Sequence, residues 1–235
     1  MNNPTQNKLL NAFPDESKER LFSKLKPVDL VLGRALYESG QNVTTVYFPA
    51  DSIVSLLHVT ENGASAEISV IGNEGLVGIA VFMGGESTPN RAIVQSAGLA
   101  YQLPAAALRY EFNNTLVVRT LLLRYTQALI AQMAQTAVCN RHHSIDQQLC
   151  RWLLLSLDRL STNSLTMTQE LIANMLGVRR EGVTEAAGKL QKLGVITYKR
   201  GHITVTNREL LEELCCECYA VVKHETDRLE AYLPD

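Results

Sequence analysis

The chain has 235 residues, of which 46% are apolar and 20% charged, and a formal net charge of −2. This length can hold one large or two modest domains, and the composition is ordinary for a globular protein. The sequence has no apolar run long enough to span a membrane, and its N-terminal segment lacks the basic and apolar regions of a secretory signal. We therefore expect a cytoplasmic protein.

The first hundred residues predict a short helical segment followed by a β-rich domain. Residues 6–26 have apolar side chains at helical spacing around Pro14. The strands are expected at Val43–Phe48, Ile53–Val59, Ala66–Ile71, Ala92–Gln95 and Leu99–Leu103. The pair Asn62-Gly63 between two of these runs is a strong β-hairpin signal. Short strands at regular spacing favour a small β-barrel or jelly roll.

Residues 104–138 are predicted to form one long helix that begins at Pro104. Apolar residues recur along it near heptad spacing, at Leu108, Leu116, Leu123 and Ile130. Such a face needs a partner, so we expect a homodimer through residues 104–138; packing on the chain's own barrel is the alternative. Ser144–Leu160 is predicted to be a further amphipathic helix, with a hinge at residues 140–143.

The segment Leu165–Thr206 predicts a helix, a tight turn, a second helix and a β-wing. Thr168 can cap the first helix, and Gly177 stands where the turn needs a residue that tolerates positive φ. The second helix opens with Arg179-Arg180-Glu181, while Lys199-Arg200 makes the wing basic. Residues 164–206 carry a local excess of three positive charges in a chain of net charge −2. The pattern predicts binding to duplex DNA, although a plain helical hairpin in a core is the alternative.

The five cysteines are Cys139, Cys150, Cys215, Cys216 and Cys218, and an odd number predicts free thiols. Cys215 and Cys218 could share one face of a C-terminal helix. A tetrahedral metal site needs four ligands, and His224 is the only nearby supplement in the sequence, so no metal site is assigned. We interpret these cysteines as small apolar residues, with thiol sensing by Cys215, Cys216 and Cys218 as the alternative.

The order of β-barrel, long helix and winged helix–turn–helix resembles the Crp/Fnr superfamily of bacterial transcription regulators over nearly the whole chain. The match is strongest at Thr168, Gly177, Arg180-Glu181 and the wing, and looser at Gly72–Gly78. The resemblance implies an α+β fold in three parts. These are a cyclic-nucleotide-binding-like effector domain (1–103), a dimerisation helix (104–138) and a DNA-binding domain (139–235).

The resemblance implies a homodimeric regulator that binds a near-palindromic operator and contacts RNA polymerase. No catalytic triad, catalytic carboxylate pair or phosphate loop stands out, so we expect no enzyme activity and assign no catalytic residue. A protein-interaction module whose helix pair is only a core remains the other class to consider.

The resemblance also assigns roles at the DNA. Arg180 would contact guanine through O6 and N7, and Glu181 could accept a hydrogen bond from a cytosine amine. The other candidates would contact phosphates or lie near the DNA backbone: Thr168, Gln169, Arg179, Thr184, Lys189, Lys199 and Arg200. Glu185 stands where some relatives carry a second arginine, which implies a different operator sequence.

The effector is left open by the sequence. The turn Gly78-Ile79-Ala80 lacks the carboxylate that cyclic-AMP-binding members place on the ribose, and iron–sulfur members need N-terminal cysteines, which are absent before Cys139. A cyclic dinucleotide such as cyclic di-GMP is therefore slightly favoured over cyclic AMP, with constitutive activity as the alternative. The candidate residues are a hinge cluster and a pair near the barrel mouth: Arg141, His142, His143, Asp146 and Arg151, and Glu86 with Arg91. Interdomain hydrogen bonds at a helix start would also explain the hinge cluster.

Overall fold

Two short helices precede the β-rich domain in the computed structural model, which describes residues 3–230 and the side chains of residues 3–228. A 3-10 turn at Pro4–Gln6 leads into α1 (Lys8–Asn11) and α2 (Asp15–Phe22). The predicted helical segment over residues 6–26 is confirmed in part, as two short helices rather than a run that reaches residue 26. Pro14 separates α1 from α2, because proline lacks an N–H and restricts the residue before it, and a strand already begins at Lys26.

Seven strands form two antiparallel sheets around one core. They are β1 (Lys26–Leu30), β2 (Ala35–Tyr37), β3 (Thr45–Pro49), β4 (Ile53–Val59), β5 (Ser65–Ile71), β6 (Arg91–Ser96) and β7 (Gly98–Pro104), with a short helix α3 (Ala80–Met83) after β5. The sheet orders are β1-β7-β3 and β2-β6-β4-β5. The five predicted strands are confirmed with small shifts, as is the β-hairpin at Asn62-Gly63. β1 and β2 were not predicted.

The predicted long helix is two helices, α4 (Ala105–Asn114) and α5 (Leu116–His142), so the prediction over residues 104–138 needs correction. Thr115 between them is extended, at φ −121° and ψ 106°. Its N–H donates to the Glu111 carbonyl and its hydroxyl to the Glu111 carboxylate, at 2.8 and 2.9 Å. Residues 140–142 belong to α5, so the chain bends at His143–Ser144 and not over the predicted hinge at 140–143.

One face of α5 packs on the β-rich domain and the opposite face is open. Its buried residues include Val118, Leu121, Leu122, Tyr125 and Leu129. Leu116, Leu123 and Ile130 are 72%, 46% and 56% exposed. The helix therefore packs on its own barrel, as one alternative predicted, and still presents an apolar stripe to solvent.

The C-terminal part packs around α6 (Ile145–Leu157), whose N-cap is Ser144 in a capping box with Gln147. The elements that follow are β8 (Ser164–Thr166), α7 (Gln169–Leu176), α8 (Arg180–Lys192), β9 (Ile196–Lys199), β10 (His202–Val205), α9 (Arg208–Leu214) and α10 (Cys218–Glu230). α10 lies along α5. Within the described residues, every helix is too short or too polar to cross a membrane.

The outer face of the four-stranded sheet packs directly against the C-terminal part. Ile53, Leu57 and Val70 belong to the same apolar core as Trp152 and Leu153 of α6. Strand alternation explains this, since Val54 and Leu56 face the inside of the β-rich domain. The two parts therefore share an apolar interface in this arrangement.

Candidate nucleic-acid interface

The first helix of the predicted pair, α7, begins and ends where the sequence predicts. The hydroxyl of Thr168, its N-cap, accepts a hydrogen bond from the Leu171 N–H at 3.3 Å. Gly177 ends the helix at φ +66°, in the left-handed region where other residues are strained. The cap at Thr168 fixes the start of α7, and the turn at Gly177 sets the direction of α8 relative to α7.

α7 and α8 bury one side each, and the opposite side of α8 faces solvent. The buried residues are Ile172, Ala173, Met175 and Leu176 on α7, and Val183, Ala186, Ala187 and Leu190 on α8. Leu171 at the start of the same stripe is half-buried. The burial of one stripe confirms the predicted amphipathic pair.

The solvent side of α8 carries the residues predicted to read base edges. Arg179, Arg180 and Glu181 open the helix, and all three are exposed. The Thr184 hydroxyl, one turn later, lies 2.8 Å from Gln169 Oε1 and 3.0 Å from the Arg180 carbonyl oxygen. Thr184 therefore ties α8 to the start of α7, while Arg180 stands at the N-terminal end from which a recognition helix contacts DNA bases.

A shallow depression joins the start of α8 to the wing. β8, β10 and β9 pair in that order, and Lys199 and Arg200 are exposed at the tip. Arg200 has a positive φ of 51°, which the tight turn before Gly201 requires. The depression is lined by Thr168, Gln169, Arg180, Tyr198, Arg200 and Gly201. It brings together four of the residues predicted to bind DNA.

Lys189 differs from the other DNA candidates because its ammonium is already paired. Its Nζ lies 3.0 Å from Asp146 Oδ2 and 3.1 Å from Glu185 Oε1. The hydrogen bond to Asp146 and then that to Glu185 raise the pKa of Lys189. A phosphate contact would have to replace these partners, so the prediction of Lys189 as a phosphate contact is the least supported of the set.

The predicted effector cluster at the hinge does not come together. Arg141 and His142 are exposed, whereas Arg151 is buried and donates from Nη1 to the Thr136 hydroxyl at 3.2 Å. Asp146 pairs with Lys189 of α8 instead. His143 faces the C-terminal cysteines, as described below. These side chains therefore do not share one space in this arrangement, because the chain bends between α5 and α6. Effector binding by these residues stays a prediction.

Glu86 and Arg91, the effector residues predicted near the barrel mouth, stay a prediction. Arg91 Nε lies 3.0 Å from Glu38 Oε2, so an effector anion at Arg91 would compete with the Glu38 carboxylate. Glu86 stands in a turn at φ +54°, and its carbonyl accepts a hydrogen bond from the Val43 N–H. Arg91 and Glu38 are far apart in the sequence, so their spacing does not predict that they lie close together.

The turn Gly72–Gly78 is held by side chains that the sequence reasoning missed. Arg159 Nε donates to Glu74 Oε1 at 2.8 Å in a buried ion pair, and the Tyr125 hydroxyl donates to the Leu76 carbonyl at 2.8 Å. A Cβ at Gly75 would clash with the Tyr125 ring, which explains glycine there. The turn therefore joins the β-rich domain to α5 and to the end of α6.

A buried carboxylate, Glu67 on β5, lies where the four-stranded sheet meets α6. The Ser55 hydroxyl is within hydrogen-bond distance of both Glu67 Oε2 and Gln95 Oε1. Gln95 Nε2 in turn donates to the Ser156 hydroxyl at 2.8 Å. Burial raises the pKa of Glu67 to about 7, against the opposing effects of the Ser55 hydrogen bond and the charge of Arg151. No sequence signal pointed to this group, since a single glutamate in a strand normally faces solvent.

The cysteines are not on one helix, which corrects their predicted placement. Cys215 ends α9, Cys216 lies in the following turn and Cys218 begins α10. His224, the predicted supplement, has a side chain 77% exposed and lies 3.7 Å from Glu225. The histidine that approaches the cysteines is His143, together with Cys139 one turn earlier on α5.

The four donor atoms of Cys139, His143, Cys216 and Cys218 all lie within 4.8 Å of one another. Without a metal, burial raises the pKa of the Cys139 thiol to about 12. Burial also raises the pKa of Cys218, against the hydrogen bond from Gln135. A protonated thiol is a poor nucleophile, so this arrangement disfavours direct thiol sensing but could hold a metal ion.

Comparison with known proteins matches both parts of the chain. Residues 27–115 match the family model of the cyclic nucleotide-binding domain, and residues 147–214 match that of the Crp-like helix-turn-helix domain. The anaerobic regulatory protein of Aggregatibacter actinomycetemcomitans is 22% identical over 212 residues, which cover 87% of this chain and 81% of that protein.

Solved structures with the same fold include two regulators. A protein of the crp/fnr family from Eubacterium rectale has a TM-score of 0.70 at 17% identity, covering 89% of this chain and 98% of that one. The c-di-GMP responsive global regulator CLP of Xanthomonas campestris has a TM-score of 0.62 at 13% identity, covering 82% of this chain and 99% of that one. At these identities, the likeness shows a shared fold.

Proposed function

Because the chain belongs to the Crp/Fnr superfamily of DNA-binding transcription regulators, which are not enzymes, we propose that it acts as a homodimer on a near-palindromic operator. The observation that carries the proposal is the exposed start of α8, with Arg180 beside the basic wing. Contact with RNA polymerase and a cytoplasmic location are part of the same proposal.

The open stripe of α5 supports the homodimer. Its positions are Leu116, Thr120, Leu123, Gln127, Ile130, Ala134 and Ala137, which alternate at spacings of four and three. This is the a/d pattern of a coiled coil, and large aliphatic side chains at such positions are stabilised by burial against a partner helix. A polar residue such as Gln127 at one core position would help to fix the register. Two parallel copies of α5 would place two α8 helices on the same side of the dimer, as half-sites one DNA turn apart require.

Arg180 is proposed to donate to O6 and N7 of a guanine, with Glu181 accepting from a cytosine amine. Arg179, Lys199 and Arg200 are exposed cations around them and are proposed to contact phosphates. Thr168, Gln169 and Thr184 are proposed to position the start of both helices, because Thr184 bonds Gln169 directly. Six or more such phosphate contacts per dimer would make binding steeply dependent on salt.

We expect Arg180→Ala to weaken binding to the preferred operator roughly 5- to 150-fold and to relax the preference at one base pair per half-site. The reason is the loss of a bidentate contact that discriminates among base pairs. Fluorescence anisotropy with the operator and with single-base variants measures both effects. Lys199→Ala is the matched control, since loss of a phosphate contact should weaken all sequences alike. Unchanged affinity in Arg180→Ala would favour a structural role for the helix pair.

An effector is also part of the proposal, and we favour cyclic di-GMP over cyclic AMP. The turn after Gly78 lacks a carboxylate for a ribose, and Arg91, the nearest candidate for a cyclic phosphate, is paired with Glu38. CLP, which has the same fold, is named as c-di-GMP responsive.

Selection of bound DNA from a random pool, with and without each nucleotide, tests the proposal. A two-fold-symmetric motif supports a dimeric regulator, and a motif strengthened or weakened by cyclic di-GMP alone supports that effector. A folded dimer that enriches no motif under any of these conditions contradicts the operator proposal.

A further inference from the structure

Four metal-ligating side chains from distant parts of the chain meet at the C-terminal end of α5. Cys139 lies in the last turn of α5 and His143 is the C-cap of that helix, whereas Cys216 and Cys218 come from the turn between α9 and α10 and from the start of α10. Cys139 Sγ lies 3.6 Å from Cys216 Sγ, and Cys218 Sγ lies 3.4 Å from His143 Nδ1. The three cysteines are at most 5% exposed.

These distances fit one tetrahedral ion. With metal–sulfur bonds of about 2.3 Å and a metal–nitrogen bond of about 2.0 Å, tetrahedral geometry separates two sulfurs by about 3.8 Å and a sulfur from a nitrogen by about 3.5 Å. The Cys139–Cys216 and Cys218–His143 separations are within about 0.2 Å of these values, and the other pairs of donors lie within 4.8 Å, so a bound ion would draw them closer by up to about 1 Å. A multi-iron cluster binds its ligands on different iron atoms and needs more widely spaced donors than a set within 4.8 Å.

The residues around the four donors orient them as the second shell of a metal site does. His143 directs Nδ1 at the sulfurs, while its Nε2 lies 3.3 Å from the Glu217 carboxylate. A carboxylate on the far nitrogen is the usual partner of a metal-bound histidine, because it fixes the tautomer. Gln135 Nε2 donates to Cys218 Sγ at 3.0 Å, which suits a thiolate acceptor. Apolar packing of cysteines does not explain this histidine or these two polar partners.

The local charge also suits a metal–thiolate centre. One divalent ion with three thiolates and a neutral imidazole has a net charge of −1, and binding releases the three thiol protons. The buried Arg151 of α6 donates from Nη1 to the Thr136 hydroxyl, one turn before Cys139 on α5. Arg151 Nε has no hydrogen-bond partner among the described residues. The guanidinium is thus placed to offset the charge of the centre.

We propose that Cys139, His143, Cys216 and Cys218 bind one tetrahedral transition-metal ion, with Zn²⁺ as the ion that fits best. Three sulfurs and one imidazole nitrogen form a closed set with no open position, which is typical of a structural rather than a catalytic site. The ion would join α5 to the α9–α10 turn beside the bend at His143–Ser144. It would therefore hold the DNA-binding part against the long helix, and this inference does not depend on DNA binding.

Metal analysis of the purified, reduced full chain tests the proposal. After reconstitution with Zn²⁺ under anaerobic conditions and removal of loosely bound ions, we expect about one ion per chain by mass spectrometry of the metal. Reconstitution with Co²⁺ should produce thiolate-to-cobalt charge-transfer absorption and the visible bands of tetrahedral Co²⁺. This readout uses the wild-type chain, so it does not depend on the folding of any variant.

Substitutions at the four proposed ligands test which residues bind the ion. Cys139→Ser, Cys216→Ser and Cys218→Ser should each lose most of the bound metal and the intensity of the charge-transfer bands, and His143→Ala should weaken metal binding. Cys215→Ser is the matched control, because Cys215 adjoins Cys216 in the chain but is outside the four-residue set. A chelator should lower the melting temperature of the wild type and of Cys215→Ser but not of Cys139→Ser.

Three results would overturn the proposal. The first is a reduced wild-type chain that binds no stoichiometric metal and shows no cobalt–thiolate bands. The second is an equal loss of metal in Cys215→Ser and Cys216→Ser. The third is the absorption of an iron–sulfur cluster after reconstitution with iron and sulfide, with more than one iron per chain. None of these measurements involves DNA, so a failed operator selection leaves them unaffected.

Discussion

Replacing Leu123 and Ile130 together by glutamate should convert the protein into a monomer and weaken operator binding by about 100- to 10,000-fold. Both side chains are about half exposed in the single chain, so the glutamates cost the fold of each chain little. In a parallel dimer, two-fold symmetry would place each glutamate beside its copy in an apolar seam, where like charges repel and are poorly hydrated. A monomer binds one half-site only, so it loses the gain in affinity that comes from linking two DNA-binding domains.

Sedimentation velocity measures the change in mass, and anisotropy measures binding to the full operator and to a half-site. The control is Val31→Glu with Met83→Glu, which adds the same charge at aliphatic side chains that are 63% and 51% exposed outside α5. The control should remain dimeric with normal affinity. A dimer that persists in the Leu123→Glu, Ile130→Glu variant would show that another surface holds the subunits together.

Glu67→Gln should raise the free energy of unfolding at pH 8 by about 2 to 3 kcal/mol. The carboxyl has a pKa of about 7 in the fold, against 4.5 as its ordinary value. Keeping it ionised in the folded chain therefore costs up to about 3 kcal/mol. Glutamine is neutral and similar in shape, so it removes this cost while keeping polar atoms beside Ser55.

The direction of the pH dependence follows from proton binding. Between pH 4.5 and 7 the folded chain holds a proton on Glu67 that the unfolded chain has released, so the stability contributed by this group falls as the pH rises through that range. The hydrogen bonds agree with a protonated carboxyl. Ser55 has one hydroxyl proton for two acceptors, and a proton on Glu67 lets Glu67 donate to Ser55 and Ser55 donate to Gln95.

Denaturant unfolding of the wild type and Glu67→Gln at intervals from pH 4.5 to 8 measures the effect. The difference between them should grow with pH and level off above pH 7. Glu61→Gln, at an exposed position of the β4–β5 hairpin, is the control. Its free energy of unfolding should equal that of the wild type at each pH. A Glu67→Gln difference that is the same at every pH would contradict a raised pKa for this group.

The local elements of the DNA-binding half were predictable because their signals are short-range. The cap at Thr168, the left-handed Gly177 and the alternation across the wing each depend on a few consecutive residues, and all three are as predicted. The five predicted strands are likewise confirmed, since period-two alternation and the Asn62-Gly63 turn act within one hairpin. The exposure of Arg180 follows from the same helical periodicity.

The predictions that the structure does not support concern features that depend on contacts between residues far apart in the chain. Spacing alone predicts the hinge cluster, yet in the fold Arg151 turns inward to Thr136 and Asp146 reaches Lys189 on α8. The break at Thr115 depends on Glu111, whose carboxylate also accepts from Arg20 on α2 at 2.6 Å. Spacing within one helix cannot say which neighbour a side chain will meet.

The cysteines illustrate the difference between what the sequence determines and what only the tertiary structure decides. The sequence alone determined that Cys215, Cys216 and Cys218 are close together, that a winged helix–turn–helix follows a β-rich domain, and that one helix carries a heptad stripe. Only the tertiary structure decided that Cys139 and His143 complete a four-donor set and that Glu67 is enclosed between sheet and helix. The physical reason is that periodicity, caps and turns act over a few residues, whereas metal geometry and desolvation depend on which distant side chains share a small volume after the chain has packed.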